Sequence, residues 1–222
     1  MFRYIEISLI MKKERLPEKI RIFPLSNAVF FPRTILPLNI FEKRYMQLVT
    51  DCMKEQRLFG MVQPRNKLGK IPEVYEVGCL GKIVNFKETS DKRFIISLSG
   101  IIRFRIKEEL KSEKLYRTFN VDYSDFFHDL EVINNISINF YQKNLLKKIK
   151  IFFNNINYSV EFDELIKLNF EQLINTLCMI SPFSIEEKQK LIETIKIEDK
   201  IKILEEIINF NLFDIQKNKT IQ

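Results

Sequence analysis

The sequence predicts an α+β protein, with a β-barrel domain in the first half of the chain and an α-helical bundle in the second. Apolar residues alternate with a period of two between residues 93 and 106, which is typical of half-buried strands. After Asp129 the apolar spacing changes to three and four residues, which is typical of helices. The charge changes as well, because residues 1–120 carry a net charge of +11 and residues 121–222 a net charge of −4.

Four parts follow from this division. We expect a flexible N-terminal extension over residues 1–19, a β-rich domain over residues 20–122, a helical subdomain over residues 123–213 and a C-terminal tail over residues 214–222.

The extension does not resemble a targeting segment. Glu6 interrupts its apolar residues and no cleavage site of small residues follows, so a secretory signal is not expected. No apolar run in the chain approaches the roughly 18 residues of a membrane span. We therefore expect a cytoplasmic protein without a membrane partner, and both Met1 and Met11 stay open as its natural start.

The β-rich domain opens with a predicted strand from Arg21 to Leu25. Pro24 limits this strand because proline cannot donate to a central ladder, and Ser26 and Asn27 suit a turn after it. A helix is predicted from Glu42 to Lys54, with Glu42 favourably near its positive N-terminal end. The apolar residues of this helix recur at helical spacing: Tyr45, Leu48, Val49 and Cys52.

An apolar run between these two elements has two interpretations. Val29, Phe30 and Phe31 would form a conspicuous patch if solvated, so they either pack into the barrel or belong to a binding surface. Packing is the more common role of aromatic residues in a small domain, and we favour it for Phe30, Phe31, Pro32 and Pro37. The second interpretation stays open for Phe31.

Strands continue to residue 121. The alternation between residues 93 and 106 places Arg103 and Arg105 on the more polar face. Gly100 interrupts the pattern without changing its parity, which suits a bend or bulge at a barrel corner better than a tight hairpin. Residues 115–121 add a further strand.

Helical spacing marks the second half of the chain. The apolar residues from Ile138 to Ile156 predict a long amphipathic helix. Two further helix starts carry capping signals, namely Asn169 with Gln172 and Ser184 with Glu187. A last apolar helix face is formed by Ile201, Leu204 and Ile208.

These blocks resemble one known family. The chain resembles the start of the Lon substrate-binding domain in four successive motifs: Pro24-Leu25, Phe31-Pro32, Leu36-Pro37-Leu38 and Phe41-Glu42. Later stretches are similar to the family's strands and helical tail: residues 58–62, 75–83, 99–106 and 173–193. Ser99 departs from the pattern, because an acidic residue is usual there.

The resemblance covers about residues 20–210 and implies a PUA-like β-barrel with one or two helices, followed by a helical bundle. It also implies the free-standing bacterial form of the domain, which lacks the ATPase and protease domains of Lon.

We expect no enzyme activity. A P-loop cradles phosphates with glycine backbone N–H groups, and Gly69-Lys70-Ile71 lacks both the upstream glycine and the Ser or Thr. No serine and lysine pair of the protease kind is identified either. His128, the only histidine, is expected in a loop, where neither a zinc site nor a nucleophile with a base can be built on it.

The three cysteines lie among apolar neighbours, which favours reduced buried thiols: Cys52, Cys79 and Cys178. No cofactor and no metal are expected.

The resemblance implies a module that binds unfolded or apolar polypeptide segments. Such a module would act as an adaptor or regulator in protein quality control, with a protease or chaperone as its partner. The expected contact residues are aromatic or charged side chains at the predicted helix start and in the apolar run: Phe31, Phe41, Glu42, Lys43, Arg44 and Tyr45.

RNA binding is the alternative. The PUA fold binds RNA in other proteins, and the positive charge of residues 1–120 would attract phosphate. Against it, lysine is plentiful alongside Ile, Asn and Phe throughout, which indicates a compositional bias, and no dense basic cluster or RNP-type aromatic motif is present. A small-molecule hydrolase is the least supported class, because no nucleophile has a base beside it.

Overall fold

The computed structural model of the protein describes residues 16–26, 28–65, 73–131 and 140–220. The described strands are β1 (Lys19–Pro24), β2 (Ile35–Ile40), β3 (Leu58–Val62), β4 (Val77–Glu88), β5 (Phe94–Leu110) and β6 (Arg117–Asp122). The described helices are α1 (Lys43–Met53), α2 (Phe140–Asn155), α3 (Phe162–Leu165), α4 (Phe170–Ile180), α5 (Ile185–Glu193) and α6 (Ile197–Thr220), with a 3₁₀ helix at Ser124–Leu130. The predicted α+β class is confirmed.

Five of these strands close into a barrel. β1 pairs with β3 in parallel, and the antiparallel pairs β3–β4, β4–β5, β5–β6 and β6–β1 complete the ring. β5 is 17 residues long and pairs with β2 through its first half and with β6 through its second. Within the described sheet, β2 is therefore an edge strand outside the ring.

The predicted irregularity in β5 is confirmed as a bulge. Leu80 of β4 opposes Ile102, whereas the next residue of β4 opposes Gly100, so Ile101 is the extra residue of β5. The chain therefore bends here and continues as one strand, as the unchanged parity around Gly100 indicated.

Gly100 also allows a second segment to cross β5 at close range. The backbone N–H of Arg33 donates to the Gly100 carbonyl at 2.9 Å, and the Gly100 N–H donates to the Thr34 carbonyl at 2.9 Å. A Cβ atom at position 100 would lie 2.1 Å from the carbonyl oxygen of Phe31, so any larger residue would collide with backbone.

The apolar run before β2 packs into the barrel. Val29, Phe30, Phe31 and Pro32 are buried, which confirms packing for three of the four residues for which it was favoured. The prediction is wrong for Pro37, which is exposed because it lies on the outward face of edge strand β2.

The predicted β1 and α1 are both present. Asn27 lies outside the described residues, while α1 begins directly after Glu42 and buries the four apolar residues predicted for it: Tyr45, Leu48, Val49 and Cys52. The strand predicted at residues 115–121 is β6.

The helical half also follows its sequence signals. The side chain of Asn169 accepts from the Gln172 N–H at 2.9 Å at the start of α4. Ser184 and Glu187 form a reciprocal capping box at the start of α5, with bonds of 3.1 and 2.7 Å. Buried apolar faces lie where predicted in α2 and α6: Leu145, Ile149, Phe152, Ile201, Leu204 and Ile208. Ile138 lies outside the described residues.

Three local expectations are corrected. Residues 1–15 lie outside the described residues, but the barrel contacts begin before residue 20, because the Glu18 carbonyl accepts from the Val121 N–H at 2.9 Å. His128 lies in the 3₁₀ helix rather than in a loop. At the other end, α6 continues to Thr220, so residues 214–220 extend a helix instead of forming a separate tail.

Candidate functional site

The start of α1 borders a surface depression of about 260 Å³. Its walls come from the end of β1, the end of β2 and the first turn of α1. We call the lining residues the Phe41 surface: Phe23, Pro24, Leu25, Ser26, Asn39, Ile40, Phe41, Glu42, Arg44 and Tyr45. Most of the contact residues that the sequence predicts are therefore brought together here.

Phe41 is the exposed apolar residue of this surface. Its neighbour Ile40 is the last residue of β2 and is buried, whereas Phe41 leaves the strand and is 63% exposed. An exposed aromatic ring beside a depression is a common feature of sites that recognise another molecule.

Arg44 is held in place by its two neighbours. Its guanidinium lies over the ring of Tyr45, with 4.4 Å between the guanidinium carbon and the ring centroid. Its Nη2 atom also lies 2.8 Å from Oε2 of Glu42. The ring contact and the ion pair together orient the cation at the rim of the depression. Lys43 is exposed and has no carboxylate partner among the described residues.

Tyr45 forms the base of the depression instead of its rim. Its ring stacks on Phe23 with 4.0 Å between centroids, and its hydroxyl donates to the Pro24 carbonyl at 3.4 Å. Burial raises the pKa of the Tyr45 phenol. This side chain therefore supports Arg44 and presents little surface of its own.

Phe31 is corrected as a contact residue. It is fully buried, and the ammonium group of Lys200 from α6 lies 5.5 Å from its ring centroid. The helical part covers this end of the apolar run, so Phe31 is inaccessible to a ligand. Leu25, Ser26 and Asn39 line the depression without having been predicted. The pairing of the strands decides which segments meet at the depression, and no local pattern in the sequence indicates that pairing.

A buried polar cluster between the barrel and the helices was also not predicted. Arg103 of β5 was expected on the more polar face, yet only 1% of it is exposed, because the 3₁₀ helix and the end of α5 cover it. Its Nε and Nη2 atoms donate to the two carboxylate oxygens of Asp129 at 2.9 and 2.8 Å, and Nη1 donates to the Ile192 carbonyl at 3.1 Å. His128 Nε2 lies 2.8 Å from Nη2 of Arg103. Burial opposes ionisation of Asp129, but these bonds outweigh it and hold its pKa below the ordinary value.

A second group of buried polar residues joins α4 and α6 to the segment that crosses Gly100. The ammonium of Lys200 donates to Oδ1 of Asn175 at 2.9 Å, and the Asn175 amide donates to the Pro32 carbonyl at 3.1 Å. Burial, followed by the nearby charge of Arg103, lowers the pKa of Lys200 to about 8. Because these groups are sealed from solvent and bond to one another, they position the helices on the barrel.

Among the residues that the structure describes, no group of three or more His, Cys, Asp or Glu side chains is arranged to hold a metal ion. The same part of the chain contains no helix long and apolar enough to cross a membrane.

The fold and the order of its motifs can be compared with known families. The model of the family described as the ATP-dependent protease La (LON) substrate-binding domain matches residues 19–209. The chain belongs to the Lon substrate-binding domain family. This match covers the barrel and most of the helical half, so both parts belong to the family domain.

Curated relatives of this Lon-family chain are themselves Lon proteases. It is 24% identical over 207 residues to the Lon protease of Anaeromyxobacter dehalogenans, which covers 90% of this chain and 24% of the relative. It is 27% identical over 221 residues to the Lon protease of Syntrophus aciditrophicus, which covers 94% of this chain and 27% of the relative. The chain spans about a quarter of the length of these relatives.

Solved structures of Lon N-terminal domains share the fold. The Lon N-terminal domain protein from Xanthomonas campestris has a TM-score of 0.60 at 19% identity, covering 86% of this chain and 97% of that one. The N-terminal domain of the Mycobacterium avium complex Lon protease has a TM-score of 0.59 at 10% identity, covering 86% and 98%.

Proposed function

We propose that this Lon-family domain binds unfolded polypeptide segments through the Phe41 surface, with apolar side chains of the segment against Phe41. The observation that carries the proposal is the exposed ring of Phe41 beside a depression whose walls include Phe23, Leu25 and Tyr45. The family's description as a substrate-binding domain supports it. In this role Phe41 supplies the apolar contact, and Arg44 supplies a cation that Tyr45 and Glu42 hold in place.

The proposal assigns no catalytic step to this domain. Its cysteines are buried, and burial raises the pKa of each thiol, so none is an activated nucleophile. An adaptor or regulator that presents polypeptides to a protease or chaperone in the cytoplasm is the role that fits such a module.

The charges of the barrel give RNA binding little support. Many of its basic side chains are already paired with carboxylates, as in Arg21–Glu55, Lys114–Asp51 and Arg117–Glu109. Such pairs reduce the density of free cations that a phosphate backbone requires. RNA binding is therefore kept as an outcome of the test.

The test uses a permanently unfolded, carboxymethylated protein as the probe and its folded form as the comparison. We expect wild-type protein to bind the unfolded form more tightly, and Phe41→Ser to weaken that binding by roughly 10-fold, since burying a phenylalanine side chain contributes about 1.5–3 kcal/mol. Phe210→Ser is the matched control, because Phe210 of α6 is also 63% exposed but lies far along the chain in the helical half.

Equal binding of the folded and unfolded forms, or equal losses in the two variants, would contradict the proposal. Tight binding of single-stranded RNA with a steep salt dependence would instead support the alternative. Isothermal titration calorimetry measures each of these affinities directly.

A further inference from the structure

The Phe41 surface continues onto the outward face of β2, β5 and β4. Asn39 lines the depression and opposes Ile95 of β5, and Ile95 in turn opposes Lys87 of β4. Residues directly opposite one another in an antiparallel sheet share a face, so these three side chains form one row. All three are exposed, Ile95 by 46%.

Pro37 extends the apolar part of this face. It precedes Asn39 by two residues on β2 and is exposed, so it projects on the same side. The outward face therefore carries an apolar strip of Pro37 and Ile95 at the edge of the sheet, next to the depression that Phe41 lines. Strip and depression are adjacent because Asn39, which opposes Ile95 and follows Pro37 by two residues, also lines the depression.

The charges around this strip are unbalanced. The carboxylate of Glu42 is engaged by Arg44 at 2.8 Å, and that of Asp91 by Arg93 at 2.8 Å. Among the described residues, no carboxylate pairs with the ammonium group of Lys43 or Lys87, and both side chains are exposed. Lys87, in the row beside Ile95, and Lys43, at the start of α1, therefore carry positive charge that no described carboxylate engages.

We propose that this surface selects polypeptide segments in which acidic residues flank apolar ones, an inference that rests on the proposed function. The spacing follows from the sheet. Neighbouring strands lie about 4.8 Å apart, so Lys87 is roughly 10 Å from the β2 row. An extended chain spans about 3.3 Å per residue. An acidic residue about three positions from the apolar residue that contacts the β2 row therefore reaches Lys87.

The experiment uses three labelled peptides that share one apolar core and differ in flanks of Glu, Ser or Lys three positions away. Fluorescence anisotropy measures their affinities at low and high salt. We expect the Glu-flanked peptide to bind about 3- to 10-fold more tightly than the Ser-flanked one, and the Lys-flanked one most weakly. The preference shrinks at high salt because exposed charges are screened.

Variants distinguish the preference for acidic flanks from polypeptide binding itself. The double variant Lys43→Glu/Lys87→Glu should abolish or reverse the preference for Glu flanks over Ser flanks. The matched control, Lys190→Glu/Lys196→Glu, changes two exposed lysines of the helical half and should leave the preference intact.

Equal affinities for the three peptides, with Phe41→Ser still weakening all of them, would overturn the charge preference and leave polypeptide binding standing. A preference that survives in Lys43→Glu/Lys87→Glu would also overturn the inference. Absence of binding for every peptide would overturn both the inference and the function on which it rests.

Discussion

The guanidinium of Arg103 meets the carboxylate of Asp129 through two hydrogen bonds of 2.9 and 2.8 Å, with both side chains at most 2% exposed. Asp129→Asn removes the carboxylate charge and leaves the buried Arg103 cation without its counter-ion. We expect a loss of about 3–5 kcal/mol in the free energy of unfolding, measured by urea denaturation. Asp125→Asn is the control, because Asp125 pairs with Arg105 at the surface, and it should cost at most about 1 kcal/mol. Similar losses in the two variants would show that the buried pair contributes no more to stability than the surface pair does.

Lys200 gives the protein a defined dependence of stability on pH. Its folded-state pKa of about 8 lies below the ordinary value of 10.5, so the unfolded chain binds more protons between these values. The cost of burying the cation is therefore fully present below about pH 8 and is relieved as the pH rises toward 10.5. We expect wild type to gain about 2–3 kcal/mol relative to Lys200→Met between about pH 7 and pH 10.

The comparison of wild type with Lys200→Met isolates this residue, because thiols and phenols titrate in both proteins. Urea denaturation at a series of pH values provides the measurement. Parallel pH profiles for the two proteins would mean that Lys200 keeps its ordinary pKa in the folded state.

Gly100 should not tolerate a side chain. In Gly100→Ala the new methyl group would lie 2.1 Å from the Phe31 carbonyl oxygen, which forces the crossing segment away from β5. We expect the free energy of unfolding to fall by about 2–3 kcal/mol and the melting temperature, measured by circular dichroism, to fall by about 5–10 °C. Ser97→Ala in the same strand is the control and should change the melting temperature by no more than about 2 °C. An unchanged melting temperature for Gly100→Ala would refute the close approach.

The cysteines should react only after unfolding. Burial raises the pKa of Cys52 to about 11 and that of Cys178 to about 12, and it raises the pKa of Cys79 well above the ordinary value. Since the thiolate is the reactive form, native protein at neutral pH should resist iodoacetamide, while urea-unfolded protein should be alkylated at all three. Intact-mass spectrometry counts the labels, and rapid labelling of a native thiol would contradict this.

Much of the fold could be predicted because the decisive signals are local. Capping at Asn169 and Ser184 needs only residues three positions apart, and the bulge at Gly100 is indicated by a glycine that interrupts the alternation without changing its parity. The burial of Arg103 could not be predicted in the same way, because alternation shows on which face of a strand a residue lies and not what covers that face. Its burial depends on α5 and the 3₁₀ helix, which lie far along the chain.

The candidate site shows the same limit. Four exposed residues could be predicted because the end of a strand and the first turn of a helix tend to be solvent-facing: Phe41, Glu42, Lys43 and Arg44. Their role in binding stays a prediction. Ile95 and Lys87 join them only through the register of three strands, which a single sequence does not state.

The seam of the barrel has a consequence for how the chain acquires its structure. β1 pairs with β6, so Lys19 finds its partner Asn120 roughly a hundred residues later. Closing so long a loop costs entropy before any contact repays it, and folding dominated by distant pairings is slow. During synthesis β1 can therefore pair with β6 only after most of the β-rich domain has left the ribosome. In that interval the apolar run at residues 29–31, which is buried in the folded protein, is without its final cover, and exposed apolar surface of this kind makes an incomplete chain prone to aggregation.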